Sequence, residues 1–127
     1  MLKGDSQIIF NTNIESLSYI GLTIQALGEF GVKVEWKDEK TLSIPGNQKY
    51  ISCDTYVEGD YSNAAFLDVF NTMGGSVEVK GLKEDSLQGD KVYGKYFEEL
   101  AKGQATVDIT DCPDLGPILF VVAALNH

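Results

Sequence analysis

Two stretches of this chain run through the same short programme: a helical stripe, a glycine, then alternation. In the first, Leu27 and Phe30 close a stripe begun by Ile20 and Ile24, Gly31 interrupts, and Val32-Lys33-Val34-Glu35-Trp36 alternates apolar with polar. In the second, Phe66, Val69, Phe70 and Met73 fall at i, i+3, i+4, i+7, Gly74-Gly75 interrupts, and Ser76-Val77-Glu78-Val79-Lys80 alternates. Glycine is the residue that enters the left-handed conformation ending a helix. A period near 3.6 giving way to a period of 2 means helix followed by half-buried strand. A chain that does this twice is confined to the α/β or α+β class, built from repeated α-β units.

The remaining elements fit that frame. Gln7 to Phe10 reads as a strand closed by the turn-rich Asn11-Thr12-Asn13, and Ser16 stands where it can cap a helix over Leu17 to Phe30. Lys37 to Lys40 is a charged turn joining Val32–Trp36 to Thr41–Ile44 as a hairpin, ended by Pro45-Gly46-Asn47. Tyr50 to Val57 reads as a strand, and Asp60 caps the helix whose stripe is Phe66, Val69, Phe70 and Met73. A third helix lies within Ser86 to Leu100, with Val92, Tyr93, Tyr96, Phe97 and Leu100 inward. Gln104 to Ile109 alternates as a strand, and Ile118 to Leu125 reads as a buried helix. Both stripes are expected to be core rather than ligand sites.

Charge excludes more than it assigns. The net charge is −9, all ten basic residues are lysine, and there is no arginine. Nucleic-acid binding needs a basic face against phosphates, so that class is set aside. Phosphate and carboxylate sites commonly use the guanidinium fork, which this chain lacks altogether. Cys53 and Cys112 lie far apart in no metal-ligand spacing, and the single histidine is His127. Reduced thiols, no metal, no cofactor and a cytoplasmic location are expected. No run approaches the roughly 20 apolar residues of a membrane span, and Met1 to Phe10 has no signal-peptide core.

Four strings, in order, carry a resemblance. They are Glu15-Ser16-Leu17-Ser18-Tyr19-Ile20-Gly21-Leu22-Thr23 with Leu27, Phe30, Gly31 and Val32; Val57-Glu58-Gly59-Asp60-Tyr61-Ser62-Asn63-Ala64-Ala65-Phe66; Asp85-Ser86-Leu87-Gln88-Gly89-Asp90; and Asp111-Cys112-Pro113-Asp114-Leu115. Over nearly its whole length the chain resembles the middle third of 5-enolpyruvylshikimate-3-phosphate synthase. The resemblance implies the enolpyruvyl transferase fold: two lobes of βαβαββ units with mixed sheets and a cleft between them. Residues 1–57 would then be a partial unit of one lobe and residues 58–127 a partial unit of the other, with the crossover near Val57 to Asp60. It also implies that Met1 stands before an internal segment and that the end at Asn126-His127 is a truncation.

The implied reaction belongs to the shikimate pathway of aromatic amino acid biosynthesis. It moves the enolpyruvyl group of phosphoenolpyruvate to the 5-hydroxyl of shikimate 3-phosphate, through a tetrahedral ketal, with release of phosphate and no metal. By resemblance Ser16 contacts the 3-phosphate, Tyr19 packs beside the shikimate ring, and Asp114 contacts the shikimate hydroxyls and acts as the base for the 5-hydroxyl. From the residues alone Ser16 is equally a helix cap, Tyr19 a half-buried tyrosine, and Asp114 a cap before an apolar helix. Asp60, Ser62, Gln88 and Asp90 are expected to be structural, Gln88 and Asp90 fixing the turn into the third helix.

The chain departs from the family pattern at four places. Leu17-Ser18 replaces a Lys-Pro, Gly21 an aspartate, and Asn63 a serine, and the stretch Leu100 to Ala105 is short for the hairpin expected there. The family's other lysines, arginines and glycine-rich loop have no counterpart, so the isolated chain is expected to be inert. Bare strand edges and apolar faces lead us to expect self-association. Two rivals remain from the sequence: the related transferase acting on UDP-N-acetylglucosamine, and a non-catalytic scaffold of the same fold.

Overall fold

Leu42 organises the only sheet found among the described residues. In the computed structural model, which describes residues 2–103 and 105–126, three strands form an antiparallel sheet: β1 (Ser6–Ile9), β2 (Glu35–Asp38) and β3 (Thr41–Ile44), in the order β1-β3-β2. Leu42 pairs with Ile8 on one side and Trp36 on the other, and it is buried while both strand edges are not. The expected hairpin forms, with its turn at Glu39-Lys40 and an irregularity between Trp36 and Asp38. Asp38 accepts the Lys40 N–H at 2.9 Å, which tightens the turn. Lys37 and Asp38 therefore belong to the strand, not to the turn. Residues 32–34 stand outside the ladder.

The helix α1 (Leu17–Glu29) ends as its glycine foretold. Gly31 has φ +75°, its N–H donates to the Gly28 carbonyl, and the Val32 N–H reaches back to Leu27 at 2.9 Å. These two bonds satisfy carbonyls that the last turn leaves without helical partners. A side chain at Gly31 would also drive into Ile51, whose Cδ1 lies 2.8 Å from the position a Cβ would take. Residues 50–57 are not a strand. The Ile51 N–H donates to the Phe30 carbonyl, the Cys53 thiol to the Glu29 carbonyl, and the Thr55 hydroxyl to the Glu29 carboxylate. The segment is thus tied to the end of α1 and pairs with no strand among the described residues.

The chain divides into two compact units, Met1–Tyr56 and Val57–His127. The second holds α2 (Tyr61–Thr72), α3 (Tyr93–Ala101) and α4 (Gly116–Leu125), with one 3-10 turn at Gly89–Val92 and another at Pro113–Leu115. Their core is Ala65, Val69, Phe97, Leu100, Cys112, Leu115, Ile118, Leu119 and Val122. Tyr93 bridges the rings of Tyr61 and Phe97. Asp60 caps α2 as expected, accepting from the Ser62 and Asn63 N–H groups. The expected stripe, however, is rotated. Tyr61, Ala64, Ala65 and Val69 face the core, whereas Phe66, Phe70 and Met73 are exposed. Small alanines let the neighbouring helices approach α2 closely, so the bulkier face turns outward.

Two further expected strands, 76–80 and 105–109, are also absent from any ladder; Gln104, the first residue of the second, lies outside the described residues, as does His127. At Val77 both backbone groups are taken by one side chain: the N–H donates to Asn71 Oδ1 at 2.7 Å, and Asn71 Nδ2 donates to the carbonyl at 2.9 Å. At Asp108 the carbonyl accepts the Tyr96 hydroxyl at 2.6 Å, while Val107 and Ile109 pack against the core. Alternation gave these segments an inward face, but a strand also needs a neighbour, and none is present among the described residues. No helix of the described residues is long and apolar enough to cross a membrane.

Candidate functional site

Ser16 sits at the N-cap position of α1 without capping it. Its backbone is left-handed, φ 54° and ψ 43°, and its side chain makes no hydrogen bond to the helix end. A non-glycine residue there costs roughly 1–3 kcal/mol and persists only where its surroundings impose it. Reading Ser16 as an ordinary cap is therefore corrected: its carbonyl accepts the Tyr19 N–H at 3.1 Å, but its hydroxyl does not serve the helix. No acidic side chain lies in the first turn of α1, although Glu15 stands immediately before Ser16 at the positive end of the helix.

Tyr19 is half-buried in the first turn of α1, three residues after Ser16. Thr23 follows one turn later, its hydroxyl donating to the Tyr19 carbonyl at 2.9 Å. The opposite side of α1 borders a different feature. Leu17 and Gly21, with Trp36, Asp38 and Glu39, line an open hollow of about 470 Å³. Gly21, with no side chain, leaves its part of the wall bare. Nothing in the residue pattern foretells this hollow, because the hairpin tip that forms its other wall comes some fifteen residues later. Asp38 is held below the usual carboxylate range by the Lys40 N–H and the Thr41 hydroxyl, so the hollow keeps a negative rim. An anionic substrate finds no welcome there.

Asp114 lies in the 3-10 turn Pro113–Leu115 that runs directly into α4, and its side chain is exposed. The residue at the cap position of that turn is Cys112, not Asp114. Pro113 sets the backbone entering the turn, and Leu115 beside it is fully buried, so the turn is anchored from below while Asp114 points outward. Asp114 belongs to the second unit, Ser16 and Tyr19 to the first. Ser16 and Tyr19 thus lie at the same end of α1, and Asp114 lies in the other unit.

Gln88 does more than fix a turn. Its carboxamide accepts the Tyr61 N–H at 2.7 Å and donates to Glu58 Oε1 and to the Gly59 carbonyl, both at 2.9 Å. Ser86 donates its hydroxyl to the same Glu58 oxygen at 2.7 Å. Gly59 donates its N–H to Gly81 at 2.8 Å, and a Cβ there would come within 2.9 Å of the Gly81 oxygen. The four residues Glu58–Tyr61 are consequently strapped to the loop 81–88, and only glycine fits at position 59. Neighbouring spacing in sequence could not reveal this, since the bonds span about thirty residues. Asp90 is buried at the start of the next turn.

Cys112 offers no ready nucleophile. Cys112 is buried, and burial with the nearby carboxylates of Asp90, Asp111 and Asp108 pushes its thiol up to about 11. Both cysteines are free, and among the described residues no group of three histidine, cysteine or carboxylate side chains could hold a metal ion.

Against known proteins, residues 1–127 match the model of EPSP synthase (3-phosphoshikimate 1-carboxyvinyltransferase). A 3-phosphoshikimate 1-carboxyvinyltransferase of Clostridium novyi (strain NT) is 41% identical over 142 residues, covering 99% of this chain and 33% of the relative. One from Clostridium acetobutylicum is 40% identical over 140 residues, with 99% and 33% covered. One from Clostridium kluyveri is 34% identical over 143, with 100% and 34% covered. The chain spans about a third of the length of the curated relatives it matches. The matched stretches are longer than its own 127 residues, so it is shorter than these relatives within the shared region.

Proposed function

The chain belongs to the EPSP synthase family, and from that premise we propose that it supplies one edge of the shikimate 3-phosphate site of an enolpyruvyl transferase. The observation that carries this reading is Ser16: a strained, left-handed serine whose hydroxyl is not spent on its own helix. A phosphate placed there meets the hydroxyl, the N–H groups of the first turn and the positive end of α1 together. Tyr19, at the same helix end, packs its ring beside the cyclohexene and fixes the orientation of the substrate. The charge for gripping a second phosphate and a carboxylate does not come from this chain, which has no arginine.

In the complete reaction the methylene carbon of phosphoenolpyruvate takes a proton, and the 5-hydroxyl oxygen bonds to the adjacent carbon as it loses its own. The resulting ketal then expels phosphate, and a proton leaves the new methyl group to restore the enol. Asp114, carboxylate outward on a turn held rigid by Pro113 and Leu115, is the proposed acceptor of the 5-hydroxyl proton. Fixing that turn is what keeps such a base in position during the transfer. The proposed lobes are residues 1–57 and 58–127, and the proposed location is the cytoplasm. The shikimate reading is preferred to the UDP-N-acetylglucosamine transferase because the matched family and the relatives above carry the 3-phosphoshikimate name.

Titration of the chain with shikimate 3-phosphate, followed by two-dimensional NMR, tests this. Shifts centred on Ser16 and Tyr19 and lost in Ser16→Ala are expected; absence of any shift at millimolar ligand overturns the binding edge. Mixed with both substrates, the chain alone is expected to release no phosphate above the uncatalysed rate.

A further inference from the structure

The hollow beside α1 joins two different chemistries. Leu17 and Gly21 form one wall, and the end of the β2–β3 hairpin forms the other, where Trp36 meets Asp38 and Glu39. Trp36 is the chain's single tryptophan. Its ring lies against Phe10, centroids 5.7 Å apart, which holds it in place, yet 38% of the residue stays open to solvent. The ladder is irregular between Trp36 and Asp38, the kind of departure that re-aims a side chain. The Lys40 N–H and the Thr41 hydroxyl keep the Asp38 carboxylate charged, and Lys37 adds only a smaller pull. Among the described residues no lysine lines the hollow.

We propose that this hollow binds a small organic cation with a flat apolar body, its ring on Leu17 and Trp36 and its charge beside Asp38 and Glu39. The volume, about 470 Å³, lies within the range of small-molecule sites, about 300–1,000 Å³. Charge complementarity selects the occupant. An anion would face two carboxylates, and a neutral apolar molecule would strip water from them and return nothing. A bare metal ion would find two carboxylates here, and among the described residues no group of three ligands gathers anywhere. An organic cation satisfies both halves of the wall. Its charge is drawn by the carboxylates and by the negative face of the indole, while its body covers Leu17. The bare wall at Gly21 leaves room for that body. The proposal stands on the hollow's own geometry within the first unit and does not rest on the substrates assigned above.

Benzylammonium is the probe, with benzyl alcohol and benzoate as neutral and anionic controls of similar shape. Two-dimensional NMR of the 127-residue chain reads the site directly, because Trp36 supplies the one indole N–H signal. Benzylammonium is expected to move that signal and the amides of Gly21 and Glu39 with a dissociation constant of about 10 mM or below, leaving the amides of α4 still. Benzyl alcohol should bind about fivefold more weakly or worse, and benzoate not at all. Glu39→Gln, which leaves the Lys40 N–H to Asp38 bond in place, and Gly21→Leu, which fills the hollow, should each weaken the cation about threefold or more with circular dichroism unchanged. Trp36→Leu keeps an apolar wall and removes the π face; followed at the Gly21 amide, it should weaken benzylammonium and not benzyl alcohol. The proposal is overturned if the alcohol or benzoate binds as well as the cation, if the shifts fall in the second unit instead, or if Glu39→Gln and Gly21→Leu both bind like the parent. It is equally overturned if only an arginine-rich peptide moves the Trp36 signal, since the occupant is then a protein. Failure of shikimate 3-phosphate to bind, with these results intact, sinks only the substrate reading.

Discussion

Replacing Gln88 by alanine removes three bonds from the strap on Glu58–Tyr61: the acceptor for the Tyr61 N–H and the donors to Glu58 and the Gly59 carbonyl. Each neutral bond contributes about 1 kcal/mol net, and the one to a carboxylate about 1.5–3 kcal/mol. Gln88 is half-buried, so water recovers part of this, and a loss of about 2 kcal/mol is the fair expectation. A unit of roughly seventy residues is stable by about 4–10 kcal/mol, and in that size range each kcal/mol moves the melting temperature by about 4–8 °C. The melting transition of the second unit, followed at 222 nm, should therefore fall by roughly 8–16 °C. Gln88→Glu sharpens the test. Its carboxylate still accepts from Tyr61 but faces Glu58 where a donor stood, so each carboxyl raises the pKa of the other in the folded state. A folded pKa above the unfolded value of about 4.3 means full stability below that pH, lost as pH rises through the raised value. Gln88→Glu should match the parent near pH 4 and melt well below it at pH 7. A shift under about 2 °C for Gln88→Ala, or a deficit in Gln88→Glu that ignores pH, refutes the strap.

Asp60→Ala removes the acceptor for two N–H groups at the head of α2 and is expected to cost about 1 kcal/mol, seen as an earlier urea midpoint. Ser16→Gly relieves the left-handed backbone and should leave stability unchanged or raised by up to about 1 kcal/mol while weakening shikimate 3-phosphate binding; loss of stability without loss of binding would contradict the assignment. Cys112 and Tyr93 have folded pKa values raised to about 11 and about 12, above their ordinary 9.0 and 10.0. Their contribution is complete below pH 9 and is lost as pH climbs through those raised values, so alkaline titration should unfold the second unit between pH 9 and 12. At pH 8 a thiol reagent should label Cys53 promptly and Cys112 only as fast as the unit opens.

What the residues announced and what they hid divide along a physical line. Asp60 and Gly31 were legible because a cap and a left-handed stop are settled within one helical turn. Leu42 and its hairpin were legible because the partner strand lies two residues away. The α2 stripe misled because periodicity weighs side chains by hydrophobicity, and here Ala64 and Ala65, the smallest, set the distance of closest approach. The strands at 50–57, 76–80 and 105–109 misled for another reason: alternation reports a face, while pairing depends on a neighbour that these segments do not have among the described residues. At the candidate site, the family motifs pointed to Ser16, Tyr19 and Asp114, but the backbone strain at Ser16 and the long reach of Gln88 belong to tertiary structure alone.

Asn71 gives the segment at Val77 a particular kind of safety. By donating to the carbonyl and accepting from the N–H of the same residue, its amide imitates the main chain of an adjacent strand. Unsatisfied strand edges recruit one another into fibrils because each such pairing fills open bonds. At Val77 that gain is already taken, so an indiscriminate strand must break two bonds to make two. Only a partner that also covers apolar side chains wins the exchange at this residue.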